Sequence, residues 1–331
     1  MTTELVGHHP GGIDAVAVLP GGAILSAGRD GAIRRWPGGE TFFAGEKRYS
    51  PGALALDLRR ELLAAAVGTD VVVLDFTGQE KTRFGAMEEG VGLLHATGDG
   101  WAAGGDSARI ALFDPDGSAR WAGETRKFPY AFAQHERELW IACWDAKLYR
   151  LDLDSLPPQT DADSPPFLGY PANPWGPMPF YAVLALPDGR AVVASGIDEE
   201  PQDGGHSSFH LWAQQAKAAE DELCVSEEGP LHALAYDPES NTVAAGGDRG
   251  TIVRFCPARQ AVLERLPLPE STLAESFEIP NGAPFAGASR GSTITSLAFV
   301  ERDVLVVGTA SGALYQVRFS AEGGNAGHVA G

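Results

Sequence analysis

Few residues of this chain have the chemistry of a metal site or a nucleophile, and their spacing argues against both. His206 and His210 stand near Asp198 and Asp203, the densest grouping of metal-type ligands. A metal site needs convergent, deprotonated ligands. His210, however, lies in Phe209-His210-Leu211-Trp212, which reads as a packed strand. The adjacent pair His8 and His9 lacks further ligands. His8 reads as a turn histidine bonded within the fold, and His9 as its solvated neighbour. Cys143 sits in the apolar run Trp140-Ile141-Ala142-Cys143-Trp144 and reads as a small core residue rather than a nucleophile. The chain has no Gly-x-Ser-x-Gly elbow. The glycine pairs at 104–105 and 246–247 open no helix and so form no phosphate loop. Asp30, Asp70, Asp106, Asp145 and Asp248 recur at one turn position. That regularity fits turn capping better than a ring of calcium ligands. No catalytic residue, cofactor or metal is expected.

Charge excludes further classes. The chain has 331 residues, 44 acids and 25 Lys plus Arg, a formal charge of −19. Phosphate-backbone binding needs a basic stripe, and none is present, so nucleic acid is not expected as the main partner. Residues 152–228 carry 14 acids against Arg190 and Lys217, a net −12. This segment could meet a basic partner surface; as solvated loops it would serve solubility alone. No apolar run reaches the roughly 18 residues of a membrane-crossing helix. The opening Met1-Thr2-Thr3-Glu4 has neither the basic nor the apolar region of a secretion signal. The three cysteines, Cys143, Cys224 and Cys256, are widely spaced, as suits a reducing cytoplasm. The abundance of Ala and Gly points to a GC-rich bacterial genome.

The elements that must position these residues emerge from self-similarity. A 14-residue unit recurs seven times: an apolar strand, a polar turn, a second apolar strand and a small residue. The copies are 15–28, 55–68, 92–105, 131–144, 183–196, 234–247 and 295–308. Each reads as a β-hairpin. A third strand follows, as in Ala32-Ile33-Arg34-Arg35-Trp36 and Thr251-Ile252-Val253-Arg254-Phe255, and then usually a weaker fourth. Four strands per repeat make one propeller blade.

This pattern resembles the WD40 family of β-propellers. The resemblance is fullest in the first repeat, with Gly7-His8, Ser26, Asp30 and Trp36. In the family such a His, Ser or Thr, Asp and Trp form a hydrogen-bonded chain inside a blade, and His8, Ser26, Asp30 and Trp36 are assigned that role. The expected fold is all-β: a single seven-bladed propeller over 1–320, with four antiparallel strands per blade. The last repeat lacks an outer strand, so the N-terminal strand around Thr3-Glu4-Leu5-Val6 is expected to pair with the last blade. Residues 321–331 are read as a flexible tail. The resemblance implies a non-catalytic scaffold binding a protein or peptide in a larger cytoplasmic assembly. The alternative is a propeller enzyme of lactonase type with a metal or polar site at the channel mouth. Its candidate mouth residues are Asp14, Gly52, Gly92, Tyr130, Tyr181, His232 and Ile294, too apolar and mixed for a metal cage.

Insertions localise the expected partner surface. The loops 170–180, 198–208 and 269–293 all fall on the face where strands enter the blades, and one acidic insertion after Asp154 falls on the other. Long loops on a rigid scaffold concentrate binding residues. Tyr170, Trp175, Met178 and Phe180 are the expected aromatic and apolar anchors. Asp198, Glu199, Glu200, Asp203 and His206 form the expected polar rim.

Overall fold

The computed structural model describes residues 1–45, 51–105, 107–156, 168–171, 179–197, 206–212, 221–224, 230–269 and 293–320. A first strand, β1 (Thr2–His8), precedes six runs of four. These are β2 (Ile13–Val18), β3 (Ile24–Gly28), β4 (Ala32–Trp36) and β5 (Glu40–Ala44); then β6 (Pro51–Asp57), β7 (Leu62–Val67), β8 (Asp70–Asp75) and β9 (Glu80–Gly85). Next come β10 (Leu93–Thr97), β11 (Gly100–Gly104), β12 (Arg109–Phe113) and β13 (Ala119–Glu124); then β14 (Pro129–His135), β15 (Glu138–Cys143), β16 (Lys147–Asp152) and β17 (Leu168–Pro171). The fifth run is β18 (Phe180–Ala185), β19 (Ala191–Ile197), β20 (His206–Trp212) and β21 (Asp221–Cys224). The sixth is β22 (Leu231–Asp237), β23 (Thr242–Gly247), β24 (Thr251–Cys256) and β25 (Ala261–Pro267). The chain closes with β26 (Ile294–Glu301), β27 (Val304–Thr309) and β28 (Ala313–Arg318).

The expectation of a seven-bladed propeller, its last blade completed by the N-terminal strand, requires correction in its blade count. Six blades are self-contained, each a meander of four consecutive strands. The remaining four-stranded sheet is a composite in the order β1-β28-β27-β26. The last repeat ends at its third strand, so the fourth comes from the other end of the chain. It pairs antiparallel to β28, from Thr2 opposite Arg318 to His8 opposite Ala313. The innermost strands touch in cyclic order, β2 to β6 and onward to β26, which returns to β2. The ring is therefore closed, and β28 is not left as an open edge that would invite pairing with another chain. The segment 321–331 lies outside the described residues.

The sequence of each hairpin follows from its place in this ring. Second strands such as β7 (LLAAAV) and β23 (TVAAGG) are buried almost throughout. They lie between neighbouring blades on both faces, so they read as continuous apolar runs rather than alternating ones. The core is accordingly divided into apolar clusters between adjacent sheets. Leu25, Ala27 and Ile33, for example, pack on Leu63, Ala65 and Val72. Near the axis the sheets converge, and alanines such as Ala15, Ala17, Ala133, Ala182 and Ala233 fill the narrow space. The small residue ending each hairpin has a related cause. A Cβ on Gly28, Gly105 or Gly247 would overlap the backbone carbonyl of Gly12, Gly90 or Pro230, on the segment entering the same blade.

Candidate functional site at the channel mouth

A recurring backbone irregularity shapes the mouth of the channel. In β2, Ile13 pairs with Gly28 and Ala15 with Ala27, leaving Asp14 unmatched. The same one-residue bulge leaves Tyr130 unmatched in β14, Tyr181 in β18, His232 in β22 and Thr295 in β26. Bulges gather at barrel rims, where they re-aim a side chain. The residue before each bulge is buried: Ile13, Pro129, Phe180, Leu231 and Ile294. The bulged residue itself is only half-buried in each case. The seventh-sheet mouth residue is thus Thr295; Ile294, expected there from sequence, is fully buried in the core between β22 and β26.

On one side of the mouth these residues are polar and each is bonded to a neighbouring group. Asp14 accepts a bond from Arg29 at 3.1 Å. The Thr295 hydroxyl lies 2.6 Å from the carbonyl of Ile13 and joins the composite sheet to its neighbour. Across the three blades from β14 to β25 the character changes. The Trp144 and Tyr130 ring centroids are 5.8 Å apart, Tyr130 and Tyr181 5.2 Å, and Tyr181 and His232 4.9 Å with the rings edge-on. His232 Nε2 is 2.9 Å from Asp248 Oδ1. Burial, with the neighbouring Tyr181 phenol, holds the Tyr130 hydroxyl well above the ordinary tyrosine range, so it stays protonated. Trp144 and Phe128 are each 45% exposed, and the Trp144 N–H bonds the Phe128 carbonyl at 3.0 Å. The result is a partly exposed aromatic arc spanning three blades, with the acid Asp145 next to Trp144 in the chain. Asp145 accepts the Tyr149 hydroxyl at 2.6 Å and lies 3.8 Å from Lys147. Among the described residues no group of three His, Cys, Asp or Glu side chains is placed to hold a metal ion.

The hydrogen-bonded chain of the first blade is present, with one residue corrected. Its histidine is His9, not His8. His9 Nδ1 is 2.7 Å from Ser26 Oγ, and its Nε2 is 2.9 Å from Asp30 Oδ1. The Trp36 indole donates to Ser26 Oγ at 2.8 Å. His9 is fully buried, whereas His8 is exposed on β1. The chain leaves β1 at His8, so it is the next residue that turns into the blade. The bonds fix the proton positions. Asp30 can only accept, so His9 carries its proton on Nε2, and Ser26 must donate to Nδ1 while accepting from Trp36. Burial lowers the His9 pKa and keeps this ring neutral. Burial alone would raise the pKa of Asp30, but bonds from Arg34, His9 and the Ala32 N–H hold it below the usual carboxylate range.

The expected partner-binding residues fare unevenly. Phe180 is fully buried, packed with Trp140, Leu148 and Val193, so it is a core residue and not an exposed anchor. It is the buried neighbour that orients Tyr181. Tyr170 lies on β17 opposite Leu148, and His206 on β20 opposite Ile197. Trp175, Met178, Asp198, Glu199, Glu200 and Asp203 lie outside the described residues, as does Asp106. Of the other turn acids, Asp30 caps its own turn by accepting the Ala32 N–H, while Asp145 and Asp248 instead hold Tyr149 and His232. Turn capping is prominent at the hairpin turns of the opposite face, through Asp57, Asp188 and Asp237. The signal for the arc in the sequence was an aromatic or imidazole side chain directly after a buried strand-entry residue, in three successive repeats.

No protein-family model matches the chain, and no curated protein matches it by sequence. Its fold has many solved counterparts. The WD40 β-propeller domain of Doa1 superposes with a TM-score of 0.72 at 13% identity, covering 96% of each chain. The RRP9 WD40 repeats give 0.72 at 14%, covering 96% of this chain and 97% of theirs. U3-55K gives 0.73 at 15%, with coverage of 96% and 98%. At these identities the likeness speaks for architecture: the chain has the β-propeller fold of WD40 domains.

Proposed function

We propose that this protein is a non-catalytic interaction scaffold, a subunit of a larger cytoplasmic assembly, that binds a partner protein at the channel mouth over β14 to β25. The observation that carries this reading is the arc of Trp144, Tyr130, Tyr181 and His232, with Phe128 beside it, partly exposed on a rigid closed ring. Exposed aromatic clusters mark interaction sites, and Trp and Tyr dominate the energetics of interface hot spots. The polar residues around the arc bond one another, which supports docking over chemistry. The acid excess of 152–228 supports a basic region elsewhere on the partner. The scarcity of cysteine supports a reducing compartment. The test is affinity purification at native expression, comparing wild type with Trp144→Ala and Tyr181→Ala, both checked for an unchanged melting temperature. Specific partners should be lost from both variants. Identical partner sets would place the interface elsewhere on the ring.

A further inference from the structure

The apolar seams between neighbouring sheets resemble one another, so apolar packing alone does not decide which sheet meets which. The seam between β22–β25 and the composite sheet also carries buried charge. We propose that the Arg254–Asp303 ion pair is a conformational lock: it makes the ring close through the composite sheet β1-β28-β27-β26 and not by β22–β25 meeting β2–β5 directly.

The register shows how unusual an arginine is at this place. In the second run Val73 lies opposite Ala64, and Ala64 opposite Ala55; all three belong to the apolar packing against the next sheet. In the sixth run Arg254 lies opposite Ala244, and Ala244 opposite Ala235, two alanines packed against the composite sheet. Arg254 thus stands where the other seam has a valine, and it is only 3% exposed. Its Nη2 donates to Asp303 Oδ1, on the turn that joins β26 to β27. Its guanidinium carbon is 4.7 Å from the centre of the Phe319 ring, just after β28. On its own sheet its Nε donates to Thr242 Oγ1 at 3.2 Å, and Glu264 is 3.7 Å away.

Asp303 is held in place to receive the arginine. Its backbone is left-handed, with φ 59°, a conformation that Asp tolerates better than most residues. Its N–H donates across the seam to Oδ2 of the buried Asp237 at 3.1 Å, and its carbonyl accepts the Phe319 N–H at 2.9 Å. Its other carboxylate oxygen is 3.5 Å from Nε of the exposed Arg302. Arg137 and Asp99 also link neighbouring sheets, but both side chains are more than a third exposed, where an ion pair contributes little.

A buried charge that loses its partner is strongly unfavourable, so a buried pair discriminates against every arrangement that separates it. If β22–β25 met β2–β5 directly, the turn facing Arg254 would be Pro20-Gly21-Gly22, which joins β2 to β3 as Arg302-Asp303 joins β26 to β27. That turn offers no carboxylate. Arg254 would keep only the more distant Glu264, its contact with Phe319 would be gone, and Asp237 would lose a donor.

The test is hydrogen–deuterium exchange of the full chain, read by mass spectrometry on peptides from β27 and β28 and, for comparison, from β7 and β15. Asp303→Asn removes the countercharge and keeps a residue that tolerates left-handed backbone. It should speed exchange in β27 and β28 at least tenfold, with less than a twofold change in β7 and β15. Equal acceleration in all four strands overturns the proposal, because the pair would then stabilise the whole ring instead of holding one sheet. The second variant, Arg254→Met with Asp303→Asn, leaves no unpaired charge, and such replacements are often neutral for stability. After refolding from urea it should give two isotope envelopes for β27 and β28, one protected and one exchanging at least tenfold faster, where the wild type gives one. If Asp303→Asn does not fold, this double variant decides. A single, wild-type envelope from it also overturns the proposal, since apolar packing would then select the neighbouring sheet unaided.

Discussion

Ser26→Ala removes one oxygen that two buried groups share. Ser26 is fully buried, Trp36 is 6% exposed and His9 is fully buried. The serine hydroxyl accepts the Trp36 indole N–H at 2.8 Å and donates to His9 Nδ1 at 2.7 Å. Without it, a buried donor and a buried acceptor both lose their partner. Leaving one such group unsatisfied costs about 1–3 kcal/mol, so the variant should lose roughly 2–5 kcal/mol. The vacated oxygen is too small for a water to restore both bonds. Ser26→Thr keeps the hydroxyl on a β-strand, where a β-branched residue is well tolerated, and should stay within about 1 kcal/mol of wild type. Trp36→Phe deletes one donor but leaves Ser26 bonded to His9, so its hydrogen-bond loss should be smaller than that of Ser26→Ala. The assay is equilibrium urea unfolding followed by far-UV circular dichroism and tryptophan fluorescence. Coincidence of the two curves is required, because a chain of this size can depart from two-state behaviour. A Ser26→Ala variant within about 0.5 kcal/mol of wild type would show that the chain of bonds does not stabilise the blade.

Two further outcomes follow from the same structure. Burial pushes His95 down to about 4 and also lowers His9. Both are neutral in the fold, while the unfolded chain takes up protons near pH 6.5. Stability should therefore be full above about pH 6.5 and fall as the pH drops toward 4. His95 keeps partial exposure, so its share is about 1–3 kcal/mol. His95→Leu should flatten the decline in melting temperature between pH 7 and pH 5, and an unchanged slope would refute the assignment. Deleting residues 1–6 removes the pairing of Thr2 through Leu5 with β28 and the packing of Val6 against Trp36 and Leu314. It should lower stability by about 2–5 kcal/mol at roughly 1 kcal/mol per backbone bond and increase light scattering, because β28 becomes an open edge. An unchanged melting temperature would mean that β1 does not stabilise the composite sheet.

The sequence by itself determined the repeat: apolar strand, polar turn, apolar strand, glycine. Local physics explains why. A hairpin buried on both sides needs continuous apolar strands, and the glycine that ends it leaves room for the entering backbone, so both leave a period visible in the residues. That Ser26, Asp30 and Trp36 act together was implied by the resemblance to WD40 repeats, and their bonds with His9 lie within one blade. The sequence did not determine which of two adjacent histidines joins them. That depends on where β1 stops pairing with β28, a contact between residues some 300 positions apart. Nor did it separate Phe180 from Tyr181. Both are aromatic residues at a strand entry, and only the bulge in the β18–β19 register sends the first into the core and leaves the second half-exposed. The aromatic arc is a tertiary object in the same sense. Trp144, Tyr130, Tyr181 and His232 are up to about a hundred residues apart in sequence, and closure of the ring is what brings three consecutive blades together at one mouth. Period-two alternation and turn chemistry are local and readable; the register of distant strands and the packing of one blade on the next arise only when the ring forms.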